Sequence, residues 1–169
     1  SIDSAFDIRN RPSELNRGGS ITKQVWDAIG NLLSSQDPNT VAASGTAATT
    51  NQYDALNRLT TTIDRLSGNT GYSYDANNRV ARVAAPNGAV TQYSYDDLGN
   101  LLQETSADRG TTTYTYDTAG NVRTMTHARG VVATYSYDAL NRLTTITYST
   151  SPAEPVAYTY DTATGCTFG

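Results

Sequence analysis

The chain has 169 residues, of which 37% are hydrophobic and 17% charged, with a formal net charge of −4 and one lysine. That charge excludes a basic nucleic-acid footprint, and no stretch reaches the roughly 18 apolar residues of a membrane-spanning helix. A single histidine (His127) and a single cysteine (Cys166) leave no disulfide framework and no Cys/His metal centre. Tyrosine occurs 12 times against two Phe and one Trp, and threonine 27 times, a composition that favours strands over helices.

Taken in chain order, the first predicted unit is Phe6-Asp7-Ile8-Arg9-Asn10-Arg11 and the second Trp26-Asp27-Ala28-Ile29-Gly30-Asn31. Both are degenerate forms of a pattern that becomes regular further on. Ser34 to Thr40 and the Ala/Thr run up to Thr50 read as a longer hairpin tip or loop. Then Tyr-Asp recurs at Tyr53-Asp54, Tyr74-Asp75, Tyr95-Asp96, Tyr116-Asp117, Tyr137-Asp138 and Tyr160-Asp161, spaced by 21, 21, 21, 21 and 23 residues. The expected organisation is an array of eight units over residues 1–169, degenerate in 1–52 and regular in 53–169. The sole methionine, Met125, is internal, so the chain reads as a piece of a longer protein.

Each unit has the chemistry of a β-hairpin. Tyr-x-Tyr places two rings on one face of a strand, as in the predicted strands Gly88 to Tyr95 and Gly110 to Tyr116. Asp followed by Gly-Asn or Asn-Arg is turn chemistry, because Asp bonds nearby amides and Gly and Asn tolerate positive φ. A second strand follows, such as Val80 to Ala84 or Leu101 to Thr105. Turns at Pro86-Asn87-Gly88, Asp108-Arg109-Gly110 and Ala128-Arg129-Gly130 close the units. The expected fold is all-β, with consecutive antiparallel hairpins about 21 residues apart. The polar strands favour a single-layer sheet over a sandwich.

The eight aromatic-Asp units resemble the Rhs/YD-repeat family, which includes bacterial Rhs polymorphic toxins, the cocoon components of insecticidal Tc toxins, and animal teneurins. The resemblance implies one continuous, curved sheet wound as a spiral into a hollow shell. It also implies that such a shell encloses and helps deliver a C-terminal toxin, and that the protein is secreted or on the cell surface. The Asp-Pro-x-Gly-Leu ending that closes Rhs cores is not in this chain, so self-cleavage is carried over to no residue.

The row Phe6, Trp26, Tyr53, Tyr74, Tyr95, Tyr116, Tyr137 and Tyr160 reads as an aromatic ladder. Intervening Leu59, Val80, Leu101, Val122 and Leu143 are expected between the rings. Sugar stacking is the competing reading of the rings, and Tyr148, off the repeat register, is the candidate for an exposed ring. Asp7, Asp27, Asp54, Asp75, Asp96, Asp117, Asp138 and Asp161 read as turn caps. A row of calcium sites would need about six to eight oxygens each. Arg58, Arg79 and Arg142 stand at turn edges beside these aspartates, while His127 and Cys166 have no catalytic partner in sequence. No cofactor, metal or catalytic residue is expected, and the leading function is a structural shell segment rather than an enzyme. The alternative is an adhesive or carbohydrate-binding repeat fibre. Expected partners are further repeats or other copies through open sheet edges, and an enclosed toxin.

Overall fold

The computed structural model describes residues 2–38 and 48–160. These form fifteen strands. The chain divides into two compact units, residues 1–90 and 91–169.

The first unit holds β1 (Ile2–Phe6), β2 (Pro12–Arg17), β3 (Ser20–Trp26), β4 (Leu32–Gln36), β5 (Thr49–Tyr53), β6 (Leu59–Ile63), β7 (Asn69–Tyr74) and β8 (Val80–Ala84). The second holds β9 (Val90–Tyr95) from its second residue on, β10 (Leu101–Ser106), β11 (Gly110–Tyr116), β12 (Val122–Thr126), β13 (Val132–Tyr137), β14 (Leu143–Tyr148) and β15 (Ser151–Ala157). In each unit the strands follow chain order, every strand antiparallel to the next. The fold is thus all-β and built from consecutive hairpins.

The long loop predicted from Ser34 to Thr50 is shorter than expected. Ser34 to Gln36 extend β4 and Thr49 and Thr50 open β5, pairing as Ser34↔Thr50 and Ser35↔Thr49. Hydroxyl and amide side chains mislead here, because a strand on a single-layer sheet needs no apolar residue on its wet face. The part of that loop from 39 to 47 lies outside the described residues.

Among the described residues, seven aromatic-Asp hairpins carry the same one-residue β-bulge. Tyr74 pairs with Val80 but Ser73 pairs with Arg82, so Ala81 is extra. The same slip recurs beside Phe6, Trp26, Tyr53, Tyr95, Tyr116 and Tyr137. It is not set by the turn alone, because the turns of the same backbone form between β6 and β7 and between β12 and β13 carry no such slip. A bulge bends the strand and raises its local twist, and it breaks strict alternation. First strands such as β11 still alternate, with Thr113 and Thr115 exposed and Tyr114 and Tyr116 half-buried, whereas β6 and β14 are half-buried throughout.

Only Ala133 and Ser106 are buried among the described residues. The sheet therefore has no thick core. Its tyrosine face is sheltered, and its other face carries threonine pairs such as Thr115–Thr124, whose hydroxyls meet at 2.6 Å. Cross-strand threonine pairs of this kind stabilise a wet sheet face. At the opposite ends of the strands, Gly18 and Gly19 both take positive φ (61° and 91°) between paired Arg17 and Ser20. That is the two-residue turn that matches strand twist.

Candidate functional site: the tyrosine-aspartate turn

In the seven units that lie within the described residues, the Asp organises the turn that follows it. Oδ1 of Asp54 accepts the backbone amides of Leu56 and Arg58, both at 2.9 Å, and Oδ2 accepts Nε of Arg58 at 2.7 Å. Asp7 with Arg11, Asp75 with Arg79 and Asp138 with Arg142 repeat this arrangement. In the other units asparagine replaces the arginine: Nδ2 of Asn31, Asn100 and Asn121 donates to Oδ2 of Asp27, Asp96 and Asp117 at 2.8, 2.9 and 3.1 Å.

Donors gathered around a carboxylate favour its charged form. The side chain and then the amide of Arg11 hold Asp7 at about 2, well below the usual carboxylate range. Asp54, Asp75 and Asp138 are lowered first by the amides of Arg58, Arg79 and Arg142. Asp96 and Asp117 are lowered first by the side chains of Asn100 and Asn121. At Asp27 burial opposes the charge, and the Asn31 donors with the amides of Ile29 and Gly30 outweigh it.

The residue three positions after the Asp takes the left-handed conformation. It is Asn10, Asn57, Asn78 or Asn141 at φ near 60°, or Gly30, Gly99 or Gly120 at φ of 111°, 92° and 85°. This backbone requirement explains why these seven units carry only Asn or Gly there.

The aromatic residue acts on the preceding unit. The hydroxyls of Tyr53, Tyr74, Tyr116, Tyr137 and Tyr160 donate to the carbonyls of Leu32, Leu59, Leu101, Val122 and Leu143, at 2.7–3.0 Å. Each acceptor is the first residue of the second strand of the unit before. Trp26 keeps the bond with its indole, Nε1 donating to Pro12 at 2.8 Å. The tie persists across the long β4–β5 connection, where Tyr53 still reaches Leu32. The arginines add a second tie: the guanidinium groups of Arg11, Arg58 and Arg142 lie 5.6, 4.6 and 4.7 Å from the ring centres of Trp26, Tyr74 and Tyr160.

Phe6, without a donor, is half exposed on β1, and Tyr95 ends β9 opposite Leu101. Tyr148 departs from expectation: it is half-buried, beside Tyr114, Met125 and His127 in an open depression of about 650 Å³ in the second unit. It faces Ala133 across β13 and β14, so the sheltered face claims it. Among the described tyrosines the exposed rings are Tyr158 and Tyr160. Asp161 and Cys166 lie outside the described residues.

Sequence reasoning missed one capping aspartate. Asp64 organises a turn of the same form between β6 and β7, its Oδ1 accepting the amides of Leu66 and Gly68 at 2.7 and 2.8 Å. No aromatic precedes it, and Ser67 rather than Asn or Gly takes positive φ (67°). The available signal was the spacing from Asp64 to Gly68, which matches Asp to the fourth following residue elsewhere. The Ala85–Ala89 and His127–Val131 turns close with the same backbone bonds, so His127 occupies the turn's first position.

No curated protein sequence matches the chain. Among solved structures, it is similar to a chain of the Photorhabdus luminescens Tc holotoxin pore carrying a TccC3 mutation, with a TM-score of 0.72 and 18% identity over 88% of this chain and 9% of that one. It is also similar to a chain of the TcdB2–TccC3–Cdc42 crystal structure, with a TM-score of 0.61 and 17% identity over 95% of this chain and 11% of that one. The chain thus spans about a tenth of the length of the structures it matches, and the likeness establishes a shared fold. The RHS Repeat family matches four overlapping segments, residues 53–90, 74–111, 95–132 and 116–153. With more than half of its length matched, the chain belongs to the RHS-repeat family.

Proposed function

We propose that this chain is a length of wall in an Rhs-type shell: a spiral-wound sheet, part of a longer secreted or surface protein, that encloses a toxic polypeptide and helps deliver it. The aspartates cap the turns, the aromatic ladder joins unit to unit, and the residues perform no bond chemistry. The observation that carries this reading is that the repeated side chains are spent on their own turn or on the neighbouring repeat. The Tyr74 hydroxyl is committed to Leu59 and its ring lies under Arg58. A face covered in that way is poorly placed to stack a sugar, which disfavours the carbohydrate-binding reading. Further support comes from the fold shared with Tc toxin chains.

Limited proteolysis of the full-length polypeptide tests the proposal. The region following the repeats should resist protease while the wall is intact and become sensitive when Asp54→Ala and Asp138→Ala loosen the turns. Equal sensitivity in both proteins would overturn it.

A further inference from the structure

The repeat supplies its own control for which side chains the fold needs. Eleven residues after the ladder tyrosine stand Asp64, Ala85 and Ser106 in successive units, and then His127 and Tyr148. Thirteen residues after it stand Leu66, Asn87 and Asp108, and then Arg129. Nine residues after it Thr62, Val83 and Glu104 give way to Met125. The strands that flank these positions pair in β6–β7, β10–β11 and β12–β13 alike, so the fold does not dictate what stands there. Met125, His127, Arg129 and Tyr148 surround the depression of about 650 Å³ in the second unit.

The floor of the depression is apolar and aromatic. Met125 and Tyr148 flank Ala133 from the strands on either side of it. Ala133 stands where the other first strands have Thr70, Thr91 and Thr112, and it is fully covered. Met125, Tyr148 and Tyr114, which pairs with Met125, line the depression themselves. On the rim, the turns that carry Arg109 and Arg129 touch: a Cβ added at Gly110 would come within 2.7 Å of the Cβ of Ala128. Arg109 is paired with Glu104. Among the described residues, Arg129 has no ion pair or hydrogen bond, and neither Tyr114 nor Tyr148 has a partner for its hydroxyl. The ladder hydroxyls of Tyr116 and Tyr137, by contrast, are committed to carbonyls. With Arg109 and Arg129 set against Glu104, the lining carries an excess positive charge in a chain whose net charge is −4.

We propose that this depression binds a small aromatic carboxylate. The guanidinium of Arg129 takes the carboxylate through parallel N–H donors, the geometry that suits this group best. The ring of the ligand lies against Tyr148, Tyr114 and Met125, since aromatic pairs and thioether–ring contacts are both favourable. That floor selects a ring over a purely polar anion. Glu104 repels a second negative group at the Arg109 end, which selects a monoanion. The volume falls within the roughly 300–1,000 Å³ of small-molecule sites. The inference goes beyond the shell reading, because it concerns a ligand held on the wall and not what the wall encloses.

Isothermal titration calorimetry of the full-length protein with phenylacetate tests it, with phenylacetamide as the neutral control. The variants use residues that the repeat already accepts at the same positions: Arg129→Asn copies Asn87, and Tyr148→Ser copies Ser106. Wild type should bind phenylacetate at least about tenfold more tightly than phenylacetamide. Arg129→Asn should remove that preference, and Tyr148→Ser should weaken both ligands, each with unchanged circular dichroism and melting. Arg123→Asn, at an exposed site of β12 outside the depression, should bind like wild type. A wild type that binds neither ligand, equal affinity for acid and amide, or undiminished preference in Arg129→Asn would overturn the proposal. Protease protection of the region following the repeats does not depend on this ligand, so the two ideas fail separately.

Discussion

The hydroxyl of Tyr74 donates a 2.7 Å hydrogen bond to the carbonyl of Leu59, the residue that opens the second strand of the preceding repeat. The bond turns a tyrosine from a packing residue into a joint. It satisfies a carbonyl at the strand end beside the bulge, and it fixes how far one hairpin sits from the next. Trp26 fills the same role with a different donor, so the requirement is for an aromatic body with a polar tip.

Removing only the tip should therefore cost stability. Tyr116→Phe deletes the 2.9 Å bond to Leu101 and is expected to lose about 0.5–1.5 kcal/mol. Tyr116→Ala also removes a half-buried ring and should lose more, about 2–3 kcal/mol. Urea unfolding checks both, and equal losses for Phe and Ala would assign the whole effect to the hydroxyl.

The left-handed position should discriminate by backbone and not by space. Nothing lies within 4 Å of a Cβ added at Gly99, yet its φ is 92°. Gly99→Ala is expected to cost about 1–2 kcal/mol, and Gly99→Asn only a small part of that, since asparagine holds the equivalent place at Asn57 and Asn141. Thermal unfolding of the two variants measures the difference.

These two cases mark what is legible in the sequence. The turn of Asp96, Gly99 and Asn100 can be read directly because cap, left-handed residue and closing residue lie within five positions and interact locally. The bond from Tyr116 to Leu101 cannot, because it crosses the sheet between repeats and depends on a register that the bulge sets. The bulge itself, at Leu102 in that hairpin, leaves no composition signal: Ala81, Arg123 and Thr144 occupy the same place. Leu56 and Leu98 look like core residues and stand at exposed tips, since hydrophobicity alone does not say which side of a turn is covered.

Acid should weaken the fold. Seven aspartates, Asp7, Asp27, Asp54, Asp75, Asp96, Asp117 and Asp138, titrate below the ordinary carboxylate value of 3.8 in the folded chain, Asp7 at about 2. Groups depressed in this way stabilise the fold fully above their unfolded value, and the benefit is lost as pH falls through the folded value. The melting midpoint should be nearly flat from about pH 7 to 5 and drop between about pH 4 and 2. Asp7→Asn should reduce that dependence. A midpoint unchanged down to about pH 2 would refute the linkage.

The central claim is that the repeated side chains join one unit to the next, and a double-mutant cycle on Arg58 and Tyr74 tests it most directly. The guanidinium lies 4.6 Å from the ring centre of the following repeat. Unfolding free energies of wild type, Arg58→Ala, Tyr74→Ala and the double variant should give a favourable coupling of about 0.5–1 kcal/mol. A coupling indistinguishable from zero, with the two single losses simply adding, would contradict a joint between these repeats.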